Sequence, residues 1–232
     1  MKTLLLSGIF SFIVVFSIFI QAHTIVENNS IPRPLIEMID TLTEESETIK
    51  MIFDEEKGQI YWLSFVGNLH TAAEDGSHYQ HINAGQTFWR DITYIEDFCF
   101  NASKDSLYFT DLMDLQSGHS AIKITDVEGT GVKVIVTLEN EIPYHITFSP
   151  EQHLLFYLSK VHKKGIDSYQ LRFLNLKEGQ KGTLYSSRLR INQLSFDKKN
   201  KAVNIQNQRN EQFAFSANLQ NFQGIAEAIK PE

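Results

Sequence analysis

The sequence predicts an all-β fold, a β-propeller of four-stranded antiparallel blades, with about four repeats of 47–48 residues in a small or incomplete ring. Three observations predict it. An eighteen-residue pattern of alternating strand, polar turn and second apolar strand occurs four times: ETIKMIFDEEKGQIYWLS from 47, YIEDFCFNASKDSLYFTD from 94, IPYHITFSPEQHLLFYLS from 142 and RINQLSFDKKNKAVNIQN from 190. Its anchors Phe53, Phe100, Phe148 and Phe196 lie 47, 48 and 48 residues apart. Each copy is followed by further strand-like segments and polar turns, and four strands per unit describe a propeller blade. Such a unit cannot bury both faces of its sheet alone, so the repeated Phe, Ile and Leu positions make sense if blades stack around an axis. A two-sheet sandwich with coincidental spacing is the competing architecture.

In chain order, residues 1–22 have the form of a secretory signal. Lys2 is followed by an uncharged apolar run from Leu4 to Ile20, and Ala22 supplies the small residue at the expected cut. An uncleaved anchor is the alternative. Residues 23–34, with Pro32-Arg33-Pro34, suit an irregular arm, and the propeller domain is expected over 35–232. The apolar stretch 35–42 is expected to supply an edge strand, because Thr41-Leu42 precedes Phe53 as Thr137-Leu138 precedes Phe148. Asp54, Asn101, Ser149 and Asp197 open the hairpin turns, residue types whose side chains cap their own backbone. Ile60, Leu107, Leu155 and Val203 start the second strands. Third and fourth strands are expected at 121–125 and 132–138, at 169–176 and 183–185, and at 212–217 and 224–229. In the first unit, Ala73-Glu74-Asp75-Gly76 marks a turn, and a longer insert around Phe88-Trp89-Arg90 leads into the next.

The formal charge of −7 becomes −8 once the signal, with Lys2, is removed. No basic stripe runs along the chain, so nucleic acid and anionic membrane are poor partners. The single cysteine, Cys99, precludes an intramolecular disulfide, so stability must come from packing; beside Phe100 in a strand it reads as a buried inert thiol. Asn28-Asn29-Ser30 and Asn101-Ala102-Ser103 are glycosylation sequons. The chain is expected outside the cell.

Ile60-Tyr61-Trp62 and Leu107-Tyr108-Phe109-Thr110-Asp111 resemble the YWTD blade of lipoprotein-receptor propellers, a match that decays in the third and fourth repeats. Ile142-Pro143-Tyr144-His145-Ile146, the aromatic strand at 154–158 and Phe173-Leu174-Asn175-Leu176 resemble the insect ommochrome-binding proteins. That resemblance extends loosely over 35–230 and implies a secreted carrier, in haemolymph, of a small aromatic, tryptophan-derived pigment. The alternatives are an extracellular protein-binding YWTD-like propeller and a calcium-dependent lactonase-like hydrolase.

Propellers place their sites where each outer strand hands over to the next inner one. Those entrances bring together Tyr94, Glu96, Tyr144, His145, Arg188, Arg190 and Asn192, with Trp89 nearby in its insert. Aromatic faces with one or two cations suit a planar anionic ligand. Catalysis, a metal and a cofactor are not expected. Glu96, Glu141 and Asn192 have no spacing that enforces a calcium site. His78 and His81, three apart on a strand, would point to opposite faces. Of these residues Tyr144 is the foremost candidate, expected on the same strand face as Ile146 and Phe148.

Overall fold

The computed structural model describes residues 25–26, 39, 48–82, 94–114, 119–129, 131–217 and 226–228. The expected signal, the sequon at Asn28 and Trp89 lie outside them. The fold is the expected one: four antiparallel sheets arranged as a four-bladed β-propeller. The first blade holds β1 (Ile25–Val26), β2 (Thr48–Asp54), β3 (Gln59–Ser64), β4 (Leu69–Ala73) and β5 (Gln80–Ile82), in that order. The second holds β6 (Ile95–Phe100), β7 (Ser106–Asp114), β8 (His119–Asp126) and β9 (Lys133–Glu139). The third is built on β10 (Glu141–Ser149), β11 (Leu154–Lys163), β12 (Ile166–Asn175) and β13 (Gln180–Ser187). The fourth has β14 (Ile191–Asp197), β15 (Ala202–Asn207) and β16 (Gln212–Ser216).

Three of the four hairpin turns form as their residue types dictate, whereas the buried Ser149 hydroxyl has no hydrogen-bond partner among the described residues. Asp54 Oδ1 accepts from the Glu56 amide, Asn101 Oδ1 from those of Asp105 and Ser106, and Asp197 Oδ1 from those of Lys199 and Asn200. These are side-chain mimics of a backbone turn.

Two expectations about the ends of the chain are corrected. The segment 224–229 was to complete the fourth blade; instead β17 (Ala226–Ala228) pairs antiparallel with β13, Gln180 opposite Ala228, as a fifth strand of the third blade. The free outer edge of β13 offers unpaired backbone groups to any nearby strand, and a repeat pattern does not say which edge an end strand joins. The edge strand expected over 35–42 is not seen at its one described residue. Ile39 has helical backbone and is buried against Met51, Ile60, Trp62 and Ala72. The added strand comes from the arm, where Ile25 and Val26 lie parallel to β2 opposite Lys50 and Met51.

The core lies between blades. One cluster joins the first two (Tyr61, Leu63, Leu69 with Ile95, Phe98, Phe109), one the second and third (Tyr108, Ile122, Val136 with Leu155, Tyr157, Leu174). Another joins the third and fourth (Phe156, Leu158, Leu171 with Ile191, Val203, Ile205). The four anchor phenylalanines take equivalent places but are half-buried; of the fully buried rings, Tyr61, Trp62, Phe109, Phe156 and Tyr157 belong to the second strands, Phe98 to β6 and Phe173 to β12. Each phenylalanine stands at a strand end beside its turn, and the last three touch the preceding blade, whereas Phe53 packs within the first blade. Phe100 meets Tyr61 edge-on at 4.8 Å, Phe148 lies 5.4 Å from Tyr108, and Phe196 stacks 6.4 Å from Phe156. The three partners occupy one position of the repeat, the third residue of the second strand.

Candidate functional site: the entrance of the inner strands

Each inner strand carries the same irregularity. The pairing register shifts between Thr48 and Lys50, Ile95 and Asp97, Pro143 and His145, and Ile191 and Gln193. Ile49, Glu96, Tyr144 and Asn192 are therefore the extra residues of four equivalent bulges. A bulge bends the strand and re-aims the side chains around it. Here it turns Tyr144 against the cluster shared with the fourth blade, whereas Ile146 and Phe148 face the second. The expectation that these three share a face is corrected, because the extra residue breaks the two-residue alternation.

In the first three blades the residue after the bulge reaches forward to the next blade. The Lys50 ammonium donates to Phe98 O at 2.8 Å and pairs with Asp97 Oδ1 at 2.8 Å. Asp97 Oδ2 accepts from the Ile146 amide at 2.8 Å and lies 3.6 Å from His145 Nδ1. His145 Nε2 lies 3.1 Å from Asn192 O and donates to it in the tautomer that carries the proton there. The Tyr144 hydroxyl donates to Ile191 O at 3.0 Å. A relay of polar side chains thus runs Lys50, Asp97, His145 across all four blades, each held by backbone about one repeat further on. Its sequence signal is the position three before each phenylalanine, which is polar in every copy: Lys50, Asp97, His145 and Gln193. Lys50 and Asp97 were not among the expected site residues.

The electrostatics follow from burial. Burial alone would raise the Asp97 pKa, but Lys50 and His145 outweigh it and hold the carboxyl below its ordinary range. Glu96, half-buried and without such a hydrogen-bonded cation, is pushed up to about 7, chiefly by burial. The charges of His145 and Arg190 pull against that shift, and Asp97 adds to it. Burial raises the Tyr144 hydroxyl well above its usual value, and Arg190 lies over its ring at 5.8 Å.

Glu96, Tyr144, His145, Arg190 and Asn192 therefore come together. Tyr94 belongs to a different joint: its hydroxyl donates to Phe65 O at 2.8 Å, and its ring fills the space beside Gly67. A Cβ on Gly67 would stand 2.8 Å from Tyr94 Cδ2, and its φ of +81° also requires glycine. Burial raises the Tyr94 pKa to about 12. Arg188 and Asn192 are exposed. Glu141 is buried and ion-paired with Arg172. Among the described residues no three His, Cys, Asp or Glu side chains are grouped so as to hold a metal ion. His81 stacks on the buried His70 at 4.8 Å, while His78 is exposed.

In fold, the chain is similar to one solved as the "Crystal structure of Nidogen/Laminin Complex", with a TM-score of 0.50 and 15% identity over 75% of this chain and 65% of that one. It is also similar to a putative TolB from Agrobacterium tumefaciens, with a TM-score of 0.47 and 12% identity over 62% of this chain and 51% of that one. The chain thus spans less than two thirds of either. No family model and no curated protein matches it. The class these findings define is the β-propeller.

Proposed function

We propose that the protein is an extracellular, non-catalytic propeller that binds another protein chain through the end of the ring where the inner strands begin. The observation that carries this is the engagement of the side chains there. Tyr144, His145 and Tyr94 each bond backbone of a neighbouring blade, so the entrance is filled by groups that hold the blades together. What remains outward is a surface bearing Arg188, Arg190 and Asn192. Surface contacts of this kind serve a macromolecular partner better than a small ligand, which needs most of its area enclosed. The fold likeness to a chain from a nidogen/laminin complex adds support by analogy alone.

One observation favours a second function, the carriage of a small aromatic pigment. Arg190 over the Tyr144 ring is an exposed cation on an aromatic face, suited to a planar anionic ligand. Panning a peptide-display library on the mature protein, alongside an absorbance titration with a xanthommatin-type pigment, separates the two. Protein binding predicts selected peptides that lose affinity for the Arg190→Glu variant, and no pigment uptake. Saturable pigment binding, weakened roughly tenfold in Tyr144→Ala and without peptide selection, would replace it with the carrier function.

A further inference from the structure

We infer that the tip of the third-blade hairpin, residues 160–168, is a docking surface for an acidic polypeptide segment that also carries apolar side chains. This deepens the protein-binding function and rests on it.

The first ground is geometric. β11 and β12 are ten residues each, against six for β3 and β15. Their neighbours stop short: β10 pairs no further than Val161, and β13 no further than Tyr169. Beyond those points one backbone bond, from the His162 amide to Asn140 O at 3.4 Å, still ties the hairpin to the strand beside it, and it closes through His162 opposite Asp167 and Lys163 opposite Ile166. Its two-residue turn, Lys164 at φ 53° and Gly165 at φ 76°, has the left-handed pair that matches the natural twist of two strands. The tip is a paired arm, not a slack loop.

The second ground is charge. In a chain of net charge −7 this arm gathers Lys160, His162, Lys163 and Lys164 against the single acid Asp167. The Asp167 carboxylate is shared, holding Lys160 Nζ and His162 Nδ1 at 2.8 Å each. Lys163 and Lys164 are exposed and have no ion-pair partner among the described residues. A surplus of positive charge faces solvent on a protein otherwise acidic, which is electrostatic complementarity for an acidic partner.

The third ground selects polypeptide over polysaccharide. Ile166 is 54% exposed at the tip, and Ile142, opposite Lys160 at the base, is 39% exposed. Apolar side chains interleaved with ammonium groups suit a chain that offers carboxylates and apolar groups together. A sulfated polysaccharide would gain nothing from the isoleucines and would meet Asp167.

The full-length mature protein is tested by calorimetry against a poly-glutamate peptide, the same peptide with leucine at every third position, and heparin. The leucine-bearing peptide should bind best, and its affinity should fall with added salt. Lys163→Glu with Lys164→Glu should weaken it by roughly tenfold or more, since reversed rim charges repel the same partner. Ile166→Ser should weaken the leucine-bearing peptide and leave poly-glutamate unchanged. Because these side chains are exposed, the variants should melt as wild type does, which excludes misfolding as the cause. Preference for heparin, equal binding by the charge-reversed variant, or no peptide binding would each overturn the inference. If display-selected peptides still bind through Arg190 in those cases, the protein-binding function survives; if none is selected, it falls too.

Discussion

Glu96 and Asp97 are adjacent carboxylates with opposite fates, and the difference is one of partners. Asp97 has a buried ammonium at 2.8 Å and a backbone amide on its other oxygen. Glu96, the extra residue of its bulge, has burial and only the more distant attraction of His145 and Arg190. Its folded pKa of about 7 lies above the unfolded value of about 4.3. Between those values the folded state holds a proton that the unfolded chain has released, so stability falls as pH rises through that window and levels off above it. Glu96→Gln should therefore gain in melting temperature on wild type as pH is raised from about 5 to about 8, with the difference small at the acid end. A difference independent of pH would show that Glu96 is ionised throughout. Asp97, with its lowered pKa, works in the other direction: its contribution is present above the unfolded carboxylate value and is lost in acid.

At the scale of the element, burial ranks the strands. The second strand of each blade lies in the middle of its sheet and in the first three blades is covered on both faces, whereas the anchor phenylalanines sit beside the turns. Phe156→Ala, removing a ring with no exposure, should cost about 3–5 kcal/mol, the usual range for a buried aromatic. Phe148→Ala should cost less, about 2 kcal/mol, because its half-buried ring already meets water on one side. Denaturant melts of the two variants check the order, and a larger loss at Phe148 would show that the turn end carries the fold. The phenylalanine spacing made the repeat legible, yet regularity along a sequence marks equivalence of position and not depth of burial. Depth follows from which strand is central in the sheet, and that is a property of pairing. Tyr144 illustrates the same limit: alternation assigns it the face of Ile146, and a single unpaired residue in the register reverses that.

At the scale of the molecule, the repeated contact joins the blades in series and changes at the fourth. Tyr61, Tyr108 and Phe156 receive the phenylalanine of the following blade, but Asn204 stands at their position in β15. The cross-strand rows Gln193–Gln206–Gln212 and Ser195–Asn204–Ala214 give the fourth sheet a polar far face, while Leu194, Ile205 and Phe213 face the core. Phe53 accordingly packs in the cluster of Ile39, Met51 and Trp62. Tyr108→Asn should cost about 3 kcal/mol by emptying an inter-blade contact, whereas Asn204→Tyr should shift stability by no more than about 0.5 kcal/mol, as at a surface site. A clear gain in melting temperature for Asn204→Tyr would mean that the fourth blade seats Phe53 after all. The sequence by itself determined the repeat, its period and the places of the hairpin turns, since these depend on local pattern and on residue types that favour turns. Only the tertiary structure decided that β17 joins the third blade, that the bulges aim Tyr144 and His145 into the fourth, and that Lys50 meets Asp97. Those outcomes depend on which edges and faces meet across a separation of about one repeat, and a linear pattern carries no information about that meeting until the blades are stacked.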